Sequence, residues 1–130
     1  MKSRINYSSG VMWEDIVGYS RAVKVGDLVE ISGTTSVDGE KVIGAKDPYE
    51  QTEFIIEKFS SILKEAGGSL NNIVRVRIYV VNIEHWKNIS KAFSRYFHNI
   101  KPAATLVEVS SLILPELLVE IEATAILSTK

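Results

Sequence analysis

A chain of 130 residues, 45% apolar and 24% charged, has the composition of an ordinary globular domain and no room for a second core. Fifteen basic and sixteen acidic residues leave a net charge of -1, which offers no whole-molecule attraction for nucleic acid or an anionic membrane. The absence of cysteine excludes disulfides and thiolate chemistry, and with only His85 and His98 no multi-histidine metal site is expected, nor any cofactor. No apolar run reaches the roughly 20 residues that span a bilayer, and MKSRINYSSG lacks the apolar core of a secretory signal, so a cytoplasmic location is expected.

Residues 1–17 read as an N-terminal arm, with Trp13-Glu14 its distinctive pair. Trp13 folds over a cleft or staples the arm to a neighbouring chain, using a large apolar area and an indole donor, or else simply packs the arm into the core. Tyr19 to Val25 and Leu28 to Thr35 are β-rich runs joined by Gly26-Asp27, a two-residue hairpin turn. A turn at Asp38-Gly39 precedes a short strand at Lys41 to Ile43. Asp47-Pro48-Tyr49-Glu50 is a helix start, with Asp47 as cap, Pro48 at the first helical position and Glu50 closing a capping box. Ile55, Phe59, Ile62, Leu63 and Ala66 form its apolar stripe, and Gly67-Gly68 ends it. Ile73 to Val81 alternates strictly, as a strand does. Asn82 caps a second helix with the stripe Trp86, Ile89, Phe93 and Tyr96/Phe97, which stops before Pro102. Two alternating strands with a Pro-bearing loop between them complete the chain from Lys101 to Leu127.

The order β-β-(β)-α-β-α-β-β predicts a two-layer α+β domain with both helices on one face of the sheet. Val23, Val25, Val29, Ile31, Val74, Val76, Ile78, Val107, Val119, Ile121 and Ala123 are expected to face the helices. The alternate set is then Glu30, Ser32, Arg75, Arg77, Tyr79, Glu108, Glu120, Glu122 and Thr124. Such a face is either solvated or a subunit interface in which arginines and glutamates pair. The residues alone leave both open.

The closing stretch KPAATLVEVSSLILPELLVEIEATAIL strongly resembles the C-terminal signature of the RidA (YjgF) family. The likeness extends back to Gly18 through Gly18-Tyr19-Ser20, Ala22 to Asp27, Ser32-Gly33, Gln51-Thr52, Ala66-Gly67, Val74 to Val81 and Tyr96-Phe97. Each match is weak, but their order and spacing are specific. The resemblance implies a chorismate-mutase-like fold with a mixed six-stranded sheet, packed as a homotrimer around a central barrel with ligand clefts between neighbours. It places Tyr19, Ser32, Gly33, Ser90, Ala104, Thr105 and Leu106 along the cleft, where Arg21 is a further candidate at the mouth in place of the family's usual neutral residue, and Glu120 at the glutamate that positions water in deaminating members.

One position departs from the family's chemistry. Deaminating members carry an arginine after Pro-Ala that holds the substrate carboxylate, and here that position is Ala104. Thr34 replaces a glutamine, Ser90 an asparagine, and Leu106 a small polar residue or cysteine, while the Ser110–Pro115 loop is longer than usual. A partly buried bidentate contact contributes several kcal/mol of binding, so efficient turnover of 2-imino acids is not expected. Arg21, near Tyr19, either supplies the missing cation or is an exposed edge arginine. Glu120 is either the water-positioning group or an ion-pair partner of Arg75 or Arg77 in the trimer barrel. The expected function is a trimeric small-molecule-binding protein whose ligand is a small organic molecule such as a keto or imino acid. The alternative is an imine or enamine deaminase, or related hydrolase, on another substrate through Glu120. A ribonuclease or translation-inhibitor role finds no basic stripe or aromatic RNA platform to support it.

Overall fold

A computed structural model describes residues 3–129. Six strands form one mixed sheet in the order β1-β2-β3-β8-β6-β7. These are β1 (Arg4–Tyr7), β2 (Ala22–Val25), β3 (Leu28–Thr34), β6 (Ile73–Val80), β7 (Ala103–Glu108) and β8 (Val119–Ile126). A separate two-stranded ribbon joins β4 (Val37–Asp38) to β5 (Lys41–Val42). Helices α2 (Pro48–Ala66) and α3 (Trp86–Phe97) cover one face, and a short helix α1 (Met12–Val17) precedes β2. The expected two-layer α+β architecture is therefore observed. Among the described residues no helix is long and apolar enough to cross a membrane.

The sixth strand comes from the expected arm: β1 pairs antiparallel with β2, and α1 follows it. The short strand near Lys41 belongs instead to the small ribbon. α2 starts as its sequence predicts. Asp47 accepts from the amides of Tyr49 and Glu50 at 3.1 Å each, and Gly67 closes the helix in the left-handed region at φ 97°. No reciprocal bond from Glu50 accompanies the cap, and its side chain packs over Gly44. Asn82 caps a single tight turn over Ile83–His85, so α3 begins only at Trp86. Trp86, expected on the apolar stripe, is 49% exposed; Ile89 and Phe97 carry that stripe.

The core lies between α2, α3 and the sheet, with Val29, Ile31, Val76, Ile78, Val119, Ile121 and Ala123 buried as expected. Four of the expected core valines are not there. In β2 the helix-facing residues are Ala22 and Lys24, because Ala22 registers with buried Ile31 and Lys24 with buried Val29. Val23 and Val25 consequently face the other way. Lys24 lays its stem along the layer and donates from Nζ to the Ala66 carbonyl at 3.0 Å, at the negative end of α2. In β6 an irregular register between Ile73 and Arg75 turns Val74 outward. In β7, which runs parallel to β6, Leu106 registers with Ile78 and packs on the core while Val107 registers with Tyr79 on the open face. Glu108 thus falls on the helix side as well, where its carboxylate accepts from the Ile83 amide at 2.9 Å and holds the turn before α3.

Candidate functional site

The ends of β2, β3 and β8 meet at a cavity of about 400 Å³. Its geometry begins with an irregularity: the pairing of β3 with β8 slips between Ile31 and Thr34, so Ser32-Gly33 leaves the regular ladder. Ser32 Oγ donates to the Ser20 carbonyl at 2.6 Å, and Thr34 Oγ1 to the Ser32 carbonyl at 2.7 Å, fixing that shape. Glu120, opposite on β8, lays its carboxylate over Gly33. A Cβ at residue 33 would collide with Glu120 Oε2 and sit 3.1 Å from its Cδ, which explains the glycine.

Arg21 completes the centre. It is only 7% exposed, and its Nη2 donates to the Gly33 carbonyl at 2.5 Å while its Nε is buried without a partner. The exposed edge arginine is excluded. Burial lowers the Arg21 pKa from the ordinary guanidinium value, with Tyr19, Glu14 and Glu120 opposing that shift. Burial also raises the Glu120 carboxyl, against the pull of Arg21 and with a further push from Glu122. Within the chain, Glu120 makes no ion pair with the sheet arginines among the described residues. Arg77 pairs with Glu122 at 3.5 Å, Tyr79 donates to the same glutamate at 2.8 Å, and Arg75 donates to Thr105 Oγ1 at 2.7 Å.

Glu14 anchors one wall. It is buried, and its carboxylate accepts from Ser8 Oγ at 2.9 Å and from the Ser9 amide at 3.1 Å, with a further short bond from Ser9 Oγ. Burial pushes this carboxyl up, but the bonds from Ser9 and Ser8, helped by Arg21, hold it below the usual range. The segment so pinned presents Val11, Trp13 and Val17 to the cavity, and Ile113 from the long loop lies on its rim. Trp13 thus forms part of the wall.

The structure brings together Tyr19, Arg21, Ser32, Gly33 and Glu120 from the expected set. It does not bring Ser90, Ala104, Thr105 or Leu106 to this cavity. Ser90 lies on α3, and β7 is separated from β8 by β6, roughly 10 Å away at ordinary strand spacing. Sequence reasoning missed Lys58. It lies on α2 at the cavity, with Nζ donating to the carbonyls of Val37 at 2.6 Å and Thr35 at 3.2 Å. A signal existed: Ile55, Lys58, Phe59 and Ile62 share the spacing of one helical stripe, so Lys58 interrupts an apolar face. No group of three metal-ligating side chains lies together among the described residues.

Comparison with known proteins agrees with this architecture. The family model described as Endoribonuclease L-PSP matches residues 11–127. A RutC family protein of Pyrococcus abyssi is 41% identical over 110 residues, covering 82% of this chain and 84% of that protein. A crystal structure of a YjgF-family member from Mycobacterium tuberculosis superimposes with a TM-score of 0.87 at 41% identity, covering 95% of this chain and 99% of the other. A Pseudomonas aeruginosa protein of unknown function gives a TM-score of 0.87 at 29% identity, with 100% and 96% covered. Matched through nearly its whole length in both sequence and fold, the chain belongs to the RidA/YjgF family.

Proposed function

We propose that this protein binds a small organic carboxylate, such as a keto acid, with Arg21 as the anion contact, and that it does not efficiently deaminate 2-imino acids. The observation that carries this reading is the Arg21 side chain. A guanidinium 7% exposed, with an unpartnered buried Nε beside a cavity, has a hydrogen bond to give and no group among the described residues to take it. A carboxylate satisfies both the charge and the donor. The cavity's apolar wall of Trp13, Val17 and Val37 suits a short carbon skeleton. Ala104 stands where deaminating relatives have their arginine, so the anion would be held from a different direction relative to Glu120. The homotrimer with clefts between neighbouring chains belongs to the same proposal.

Titration of pyruvate into the protein tests this. Saturable binding is expected, weakened about 30-fold or more in Arg21→Ala, the range for loss of a charge-assisted contact of about 2 kcal/mol or above. Equal affinities would remove Arg21 from the site.

One observation favours an enzyme acting on another substrate: burial raises the Glu120 carboxyl, and a carboxyl so placed can give and take a proton nearer neutral pH. An assay coupling an amino-acid oxidase to imine hydrolysis separates the readings. Release of ammonia above the buffer rate, lost in Glu120→Gln, would replace the binding function with a hydrolase.

A further inference from the structure

Of the two lysines on α2, Lys64 is exposed and Lys58 is turned inward to the wall it shares with Arg21. Its Nζ donates two hydrogen bonds, to the Val37 and Thr35 carbonyls. An ammonium has three hydrogens, so one direction remains; on deprotonation the nitrogen keeps both backbone bonds and has a lone pair free. Among the described residues Lys58 has no carboxylate within ion-pairing distance, and its nitrogen lies 5.1 Å from the Phe54 ring centroid. Desolvation and a neighbouring cation are the two conditions that turn a lysine into a nucleophile at neutral pH. Both hold here. Burial first, and Arg21 next, bring the Lys58 pKa from the usual 10.5 down to about 8, so about a tenth of the amine is neutral at pH 7.

We propose that Lys58 forms a reversible imine with the carbonyl carbon of a small 2-oxo acid whose carboxylate lies on Arg21. The inference rests on the anion site described above and adds a covalent step to it. The Lys58 lone pair attacks the carbonyl carbon, a C–N bond forms, and the carbonyl π pair moves to oxygen. That oxygen takes the proton shed by nitrogen, giving a carbinolamine. Protonated Glu120, across the same cavity, gives its proton to the hydroxyl; the C–O bond breaks, water leaves, and the nitrogen lone pair completes the iminium. Water returning by the same path releases the 2-oxo acid unchanged, with no oxidant or reductant consumed. Burial favours the protonated form of Glu120 that the dehydration needs.

Reduction traps such a link. Protein incubated with pyruvate and cyanoborohydride is expected to gain, per chain, the mass of the keto acid less one oxygen, and peptide mapping is expected to find it on Lys58. The rate should rise with pH only while attack by the accumulating neutral amine limits it, and should fall once Glu120 has lost the proton that dehydration needs. The adduct should vanish in Lys58→Arg, which keeps the charge, and fall sharply in Arg21→Ala. Pyruvate that saturates in the titration yet leaves no mass on Lys58 overturns the imine and spares the anion site. The same holds if label is spread over other lysines and persists in Lys58→Arg. Pyruvate that neither titrates nor labels overturns both. Mapping the wild-type protein decides the matter even where a variant folds poorly.

Discussion

Glu120 and Gly33 show how one residue's chemistry depends on another's missing atom. Without a Cβ at residue 33 the carboxylate can lie against the β3 backbone, beside Arg21 and half-buried. Its folded-state pKa is raised, so the folded protein holds this proton more tightly than the unfolded chain does. The sign follows. Glu120 costs nothing below its unfolded pKa and becomes destabilising as pH rises through the folded value. Protonation also removes a negative charge from beside Arg21. Pyruvate affinity should therefore strengthen as pH falls through the raised Glu120 pKa, by about tenfold, the order for two charges a few ångströms apart in a partly wet cavity. In Glu120→Gln the affinity should lose this dependence and the melting temperature at neutral pH should rise. A wild-type affinity that is flat or weakens over that acid limb would show that the carboxylate does not face the bound anion.

At the level of elements, Gln51 does for α2 what caps do for its ends. It is fully buried, donates from Nε2 to the carbonyls of Glu116 at 2.9 Å and Gly44 at 3.1 Å, and accepts from the Leu118 amide at 2.8 Å. One side chain thereby satisfies three backbone groups where the long loop enters β8. Gln51→Leu keeps the volume and strands two of them, the Glu116 carbonyl and the Leu118 amide, since the Gly44 carbonyl still accepts from the Asp47 amide at 2.9 Å. At about 1–3 kcal/mol for each unsatisfied group, partly relieved by relaxation, the expected loss is about 3 kcal/mol in urea unfolding, with an unchanged slope. A loss below about 1 kcal/mol would mean that the loop has alternative partners. Gln51 also marks what a sequence can tell. Helix α2, its cap, the β2–β3 hairpin and the alternation in β6 and β8 were legible because local pattern and burial agree. The faces of β2 and β7 were not, since each has apolar residues on both sides and only register with β3 and β6 decides which turns inward. β1 was illegible for a related reason: Arg4–Tyr7 is polar, and the strand exists because β2 offers an edge. The site divided along the same line. Ser32, Gly33 and Glu120 lie on strands whose pattern was clear. Tyr19 and Arg21 fall just before β2, which begins only at Ala22 and not at Tyr19 as expected, so that the family resemblance rather than the pattern pointed to Tyr19. Lys58 depended on reading a charge inside an apolar stripe as an invitation to a cavity.

The whole molecule raises a question that a single chain poses and an assembly would answer. The sheet face away from the helices exposes Val25, Leu28, Val74 and Val107, each at least 37% accessible, among the Arg77–Glu122 pair and the Glu30–Thr124 bond. Charges already paired within a chain lose less on being covered than lone ones, so this face can be buried without leaving unmatched ions. The proposed homotrimer would cover it, and would also give Ala104, Thr105 and Leu106 a route to the cavity, since β7 of one copy could approach the cavity of the next. Light scattering should therefore return three times the 14.5 kDa chain mass. Val74→Asp, which sets a new charge on that face at the start of β6, should lower the mass toward a single chain while circular dichroism stays unchanged. Pyruvate titration of the dissociated variant then separates two designs. Affinity kept near the wild-type value means that Arg21, Tyr19 and Glu120 of one chain suffice. A loss comparable to that of Arg21→Ala means that the neighbour closes the site. Wild-type protein of single-chain mass would remove the cleft between neighbours, yet leave the Arg21 cavity standing, because every residue that lines it belongs to one chain.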